Sequence, residues 1–251
     1  MELAARIGAW HTSGAPLPYD AEVEWIEGDG LACINTLYKP TSKTEFVANA
    51  LLLKKNNYNP YFFGCDDFNG SRRSAFALCN GTTHGYANCF LFGSQAYYKS
   101  GAIWPSGIVE YKFKGKKLYI NGVIVNTFND GDFHSDLDMY IFGANYPTYT
   151  GSPINEPGVR FANVIISEIE NVILDLIAVR FTNSLGRTEG AMYDRVSGQL
   201  FRNAGTGAFV IGPDKVGTEL AGGGYKCVRR YWRSSSRRSR SRRFSRWEVA
   251  A

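Results

Sequence analysis

The chain has 251 residues, of which 44% are hydrophobic and 20% charged, an ordinary balance for a globular protein with room for one large all-β domain or two small ones. Its charge is unevenly placed: residues 1–224 sum to −4 and residues 225–251 to +9, so attraction to a polyanion belongs to the last segment alone. The five cysteines are odd in number and form no CxxC pair, which argues against a disulfide framework or a zinc site and fits a reducing compartment. The start, MELAARIGAWHTSGAPLP, has no apolar core of the secretory kind. The longest apolar stretch is broken by Glu168, Glu170 and Asp175, so no transmembrane segment is expected. These features point to a soluble protein made inside a cell.

Residues 1–18, rich in Ala, Gly and Pro, read as an extended leader. From Tyr19 the hydrophobic period becomes two, and AEVEWIE alternates Val23 and Trp25 against Glu22 and Glu24. Strand patterns follow at 43–53, 60–65, 74–79 and 88–93, separated by Asn-, Gly- and Ser-rich breaks. The strongest local signal is GIVEYKFKGKKLYINGVIVNTF, a strand, a turn at Gly115, a strand KLYI, a turn at Asn121-Gly122 and a strand VIVNTF. Asn-Gly suits a type I′ hairpin because both central residues must take positive φ. Further strands are expected at 138–144, 159–169, 172–181, AMYD and QLF. The pair 159–169 and 172–181 is apolar on both faces, so it belongs in the centre of a sheet covered on both sides. Glu170-Asn171 reads as the turn between them. About a dozen strands without a capped 3.6-residue stripe predict an all-β, two-sheet antiparallel sandwich over 19–216. The glycines at 222–224 mark a Gly-rich linker, 217–224, before an Arg/Ser-rich tail, 225–251.

Three motifs occur in order: LPYDAEVEWIE…INTLYKP at 17–40, KLYINGVIVNTF at 117–128 and GAMYDRVSGQLFRNAGTGAFVIGP at 190–213. Together they resemble the concanavalin A-like (laminin-G-like) jelly-roll domains of gut bacteriophage structural proteins and gut bacterial surface proteins. The third motif is the most specific. The segment GDGLACI, 28–34, departs from the run that relatives tend to carry. The resemblance implies a jelly-roll sandwich of a kind that often binds glycans or serves as an assembly module, and it does not by itself imply catalysis.

Retaining glucanases of this fold set carboxylates on one strand face, commonly as Glu-x-Asp-x-Glu, with about 5–5.5 Å between the working pair. Here Glu168 and Glu170 are followed by Val172, so the third carboxylate is missing and no catalytic residue is expected. His11, His84 and His134 have no paired spacing, and GTG at 205–207 reads as a tight turn. Asp130, Asp132, Asp136 and Asp138 crowd one loop, which suits calcium, although the spacing is not that of an EF-hand and a solvated acidic loop is the commoner reading. Tyr97, Tyr98, Trp104, Asn145, Tyr146 and Tyr149 offer loop aromatics and amides of the kind a glycan stacks on and bonds to.

The tail carries Arg229, Arg230, Arg233, Arg237, Arg238, Arg240, Arg242, Arg243 and Arg246, with Tyr231, Trp232, Phe244 and Trp247 among them. Such a segment cannot bury a core and is expected to stay disordered until a partner neutralises it. Nucleic acid, an acidic surface of another structural subunit and a membrane surface all fit, as does a plain solubilising charge run. The expectation is a non-enzymatic virion protein, for decoration or adhesion, anchored through this tail. Its partners would be other virion proteins or a cell-surface glycan, nucleic acid through the tail, and further copies of the same chain. The alternatives are a bacterial glycan-binding module and, behind it, a sandwich-fold glycoside hydrolase.

Overall fold

Period-two alternation becomes a two-faced sheet wherever the chain repeats it. Between Thr44 and Leu52, Phe46, Ala48 and Ala50 are buried while Glu45, Val47 and Asn49 occupy the opposite, wetter face. The computed structural model describes residues 16–52, 61–69, 72–79, 86–100, 107–129, 131–146, 154–155 and 157–216. Among the described residues there are nineteen strands and no helix.

The first are β1 (Ala21–Glu22), β2 (Ile26–Asp29), β3 (Ile34–Asn35), β4 (Thr44–Leu52), β5 (Tyr61–Asn69) and β6 (Arg72–Cys79). Next come β7 (Tyr86–Gly93), β8 (Gln95–Ser100), β9 (Val109–Lys114), β10 (Lys117–Ile120), β11 (Val123–Thr127) and β12 (Tyr140–Ile141). The remainder are β13 (Gly143–Ala144), β14 (Ile154–Asn155), β15 (Pro157–Glu168), β16 (Asn171–Thr182), β17 (Thr188–Asp194), β18 (Leu200–Phe201) and β19 (Phe209–Ile211).

These strands form two antiparallel sheets and a short ribbon. The larger sheet runs β11-β10-β9-β4-β15-β16-β17-β18, with β1 on β16 and β2 between β15 and β19. The smaller runs β3-β12-β5-β6-β7-β8, and β13 pairs with β14. The inner faces of both sheets share one apolar interior, the arrangement of a β-sandwich. Its middle is aromatic. Phe46 and Phe113 come from the larger sheet, and Phe63, Phe76, Phe90 and Phe92 from the smaller. Ring centroids lie 4.7 Å apart for Phe46–Phe63, 4.8 Å for Phe92–Phe113 and 5.0 Å for Phe90–Phe113. Those separations fall in the range where tilted and edge-on rings attract beyond their buried area.

A second, smaller core lies on the outer face of the larger sheet. Ile177, Val179 and Phe181 of β16, with Ala191 and Tyr193 of β17, are covered by Tyr19 and Leu17. This explains why β16 is apolar on both faces, as its sequence requires. The cover does not reach Ile165 of β15, which stays half-buried at an open surface.

The turns at 115–116 and 121–122 both take left-handed backbone, with φ of 57° and 60° at Gly115 and Lys116 and 49° and 78° at Asn121 and Gly122. The β15–β16 turn falls one residue earlier than its sequence suggests. It is Ile169-Glu170, at φ 45° and 67°, and Asn171 already belongs to β16. The register from Glu168↔Asn171 onward buries the apolar sets of both strands, and that gain outweighs the poor turn chemistry of a β-branched residue at positive φ. The stretch 138–144 is likewise not one strand. Phe142, at φ 67°, separates β12 from β13. AEVEWIE also breaks at Glu24-Trp25, where the Trp25 ring lies 3.6 Å beneath the Arg160 guanidinium.

Phe113 is 1% exposed and its ring meets Phe46, Phe76, Phe90, Phe92 and Phe128. Truncation to alanine is expected to lower unfolding stability by about 3–5 kcal/mol through lost contacts and a residual cavity. Equilibrium urea denaturation checks it, and a loss under about 1 kcal/mol would show that the two sheets do not depend on this ring.

Candidate functional site

The third motif is spent on building turns. Asp194, fully buried, ends β17 and takes four hydrogen bonds: Asp175 and Val196 N–H on Oδ1, Ser197 N–H and hydroxyl on Oδ2. Gly198 follows at φ 75°, and Gln199 N–H is 3.2 Å from Ser197 Oγ, returning the chain into β18. Asn203 Oδ1 accepts from Cys33 N–H at 3.1 Å and Gly205 N–H at 2.9 Å, while its amide donates to Gly207 carbonyl at 2.6 Å. A Cβ on Gly205 would collide with the Leu31 carbonyl, and one on Gly207 with the Asp29 carboxylate. The two glycines are therefore required by close approach of loop 203–208 to segment 29–33.

Asp29 is the other half of that junction. Its carboxylate accepts from Leu31 N–H at 2.8 Å, Ala32 N–H at 2.9 Å and Ala208 N–H at 2.7 Å. Burial works to raise its pKa, but the backbone donors together outweigh it and hold the group below the ordinary aspartate value. Segment 28–34 is thus where the third motif docks.

Among the described residues, the outer face of the larger sheet across β9, β4 and β15 offers a surface that a ligand could reach. A shallow open cavity of about 180 Å³ is lined there by Glu45, Val47, Lys112, Lys114, Ile165 and Ser167. Register lines these residues up: Val47 is opposite both Lys112 and Ile165, and Glu45 is opposite Ser167. One step along, the Asn49 amide donates to Asn163 Oδ1 at 2.8 Å. Lys112 lies 5.6 Å from the Tyr119 ring centre, and Lys114 lies 3.9 Å from Glu45 and 4.0 Å from Glu170. Amides, a hydroxyl, lysines and a carboxylate around an apolar floor can meet both the polar edge and the flat face of a hydroxylated ligand.

Tyr97 and Tyr98 belong to strand β8 rather than a loop, where register sets Tyr97 opposite Phe90 and Tyr98 opposite Cys89. Asn145 bonds through its backbone to the β5 edge, accepting from Asp66 N–H at 3.0 Å and donating to Gly64 carbonyl at 3.2 Å. The Tyr146 ring lies 6.1 Å from that of Tyr61. Trp104, Tyr149 and Asp130 lie outside the described residues, as do all nine tail arginines.

The other loop aspartates turn to separate neighbours. Asp132 accepts from the Ser42 hydroxyl at 3.0 Å, Asp136 sits 3.6 Å from His134 Nε2, and Asp138 accepts from the Asn35 amide at 3.1 Å. Among the described residues no three His, Cys, Asp or Glu side chains gather as metal ligands. Glu168 and Glu170 are also set apart. Glu168 accepts from Tyr38 hydroxyl at 2.8 Å and Thr41 hydroxyl at 3.0 Å, whereas Glu170 projects from the turn, 83% exposed. Burial first, then the neighbouring Glu168, pushes the Tyr38 phenol well above its ordinary value, which keeps it a donor. Burial also pushes the Cys65 thiol up to about 12, and that thiol lies 3.3 Å from Ser135 Oγ.

The sheet face went unnoticed in the sequence because its residues are the unremarkable outward half of TEFVANA and VEYKFK. Alternation shows that they point away from the core. Nothing local shows that strands more than sixty residues apart become neighbours. Against known proteins, the chain matches no family model and no curated sequence.

Because the Asp29 carboxylate has a depressed pKa, its contribution is complete above the ordinary value of 3.8 and is lost as pH falls through the folded value. Asp29→Asn is expected to be less stable than the parent at pH 7 and to converge with it under acid. Urea midpoints taken from pH 7 to pH 2 check this, and parallel curves would show that Asp29 carries no such linkage.

Proposed function

We propose that this chain is a non-enzymatic structural protein of a bacteriophage particle, a concanavalin A-like jelly roll displayed for decoration or adhesion and anchored through its Arg-rich tail. The observation that carries the reading is the charge partition. A body summing to −4 is joined to a terminal segment summing to +9, so binding to a polyanion and recognition by the body are separable tasks. The three ordered motifs and the β-sandwich support the fold named here. The non-enzymatic part of the reading rests on the sequence, where Val172 stands in place of the third carboxylate of a glucanase strand.

In this reading the protein is made in the bacterial host and resides in the virion. Nine arginines with interspersed aromatics would grip the genome or an acidic neighbouring subunit by bidentate and stacking contacts. The body would present the outer face of the larger sheet to a cell-surface glycan. A glycan-binding module outside any particle is the second reading, and the same amide- and lysine-lined face favours it.

The two tasks are tested separately. Full-length protein is expected to bind duplex DNA with an affinity that falls steeply between 50 and 200 mM salt, as expected when several phosphates are neutralised. A chain lacking 225–251 should lose at least about tenfold of that affinity. Equal binding by the truncated chain would remove the anchor. On a glycan array the same truncated chain should retain its hits, and Lys112→Ala with Asn163→Ala should weaken them by about tenfold. Release of reducing sugar from plant or mucosal polysaccharides would overturn the non-enzymatic assignment.

A further inference from the structure

The β6–β7 hairpin places two cysteines directly opposite each other. Register pairs Cys79, the last residue of β6, with Cys89 of β7, and the row continues as Tyr61↔Cys79 on one side and Cys89↔Tyr98 on the other. Alternation gives both cysteines the parity of Ala77 and Leu91, which face away from the phenylalanine interior. Directly opposed residues in an antiparallel pair have Cα atoms about 4.5 or 5.5 Å apart. Both values lie within the roughly 4.4–6.8 Å window that a disulfide spans without moving the backbone.

From this juxtaposition we propose that Cys79 and Cys89 form a cross-strand disulfide when the protein meets an oxidising thiol–disulfide pool. A thiolate of one cysteine attacks a low-molecular-weight disulfide such as oxidised glutathione and expels one thiolate. The second cysteine then attacks the mixed disulfide, making the Sγ–Sγ bond and expelling the other glutathione thiolate. Two electrons pass to glutathione, and the two cysteine protons are released with them, so the couple is balanced and reversible.

The location gives the bond a purpose. Cys79↔Cys89 is the last registered pair before the β6–β7 connection, so a bond there would close the loop between the two strands. A covalent link there would clamp β6 to β7 on the face away from the phenylalanine interior. The remaining described cysteines are not rivals. Cys33 and Cys65 are buried and not disulfide-bonded, Cys33 just before β3 and Cys65 within β5.

The full-length chain, equilibrated with oxidised glutathione, blocked with N-ethylmaleimide and cleaved with chymotrypsin without reduction, provides the test. Cleavage after Tyr86 separates the two cysteines in sequence, so a disulfide keeps the two peptides joined and lighter by two hydrogens. That joined species is expected in oxidised protein and not after dithiothreitol. Maleimide or glutathione on both Cys79 and Cys89 at equilibrium, or linkage of either to another cysteine, would overturn the proposal. As a second measurement, amide exchange through Tyr86–Gly93 should slow several-fold on oxidation of the parent and stay unchanged in Cys79→Ser. Equal slowing in that variant, or none in the parent, would also count against it.

Discussion

The contact between phenylalanine rings of opposite sheets is the constraint on which everything else rests. Neither sheet can bury its inner face alone, because flat antiparallel strands expose one whole side of their side chains. Phe46 and Phe113 supply the larger sheet's half of the contact, and Phe63, Phe76, Phe90 and Phe92 supply the other. Large rings fill the gap between layers about 10 Å apart with few side chains. The outward residues are thereby relieved of a packing role over most of the larger sheet. That is why a mixed set of lysines, amides and a glutamate can stand in the middle of β4, β9 and β15 without penalty to the fold.

Sequence period and turn chemistry reached different depths of this structure. The hairpins at Gly115 and Asn121-Gly122 were legible because their residues accept positive φ locally. The centrality of β15 and β16 was legible because both faces of the pattern are apolar. The Ile169-Glu170 turn was not, since its position is imposed by register with β4 and β17 rather than by its own preference. The same limit applied to Tyr97 and Tyr98. Adjacent aromatics near glycine look like a loop, yet cross-strand pairing with β7 makes them part of a strand.

The candidate site illustrates a further separation between pattern and role. The most distinctive residues of the chain, from Tyr193 to Gly207, answer a backbone accounting problem. Four N–H groups or hydroxyls converge on Asp194, and Asn203 satisfies both sides of a tight loop. Distinctive spacing here marks a place where few side chains satisfy the geometry. The outer sheet face, by contrast, is permissive, and permissive surfaces can change ligand without changing fold.

Strand β2 lies between β15 and β19, so a segment near the start of the sandwich is zipped in by pieces that lie over a hundred residues downstream. Such long-range pairing implies slow folding. It also means that a chain emerging from the ribosome holds Ile26 and its neighbours unpaired until the last of these strands appears. The edge of the sandwich around β2 therefore closes only late in synthesis, and a chain halted before then would carry unpaired strand edges that favour aggregation.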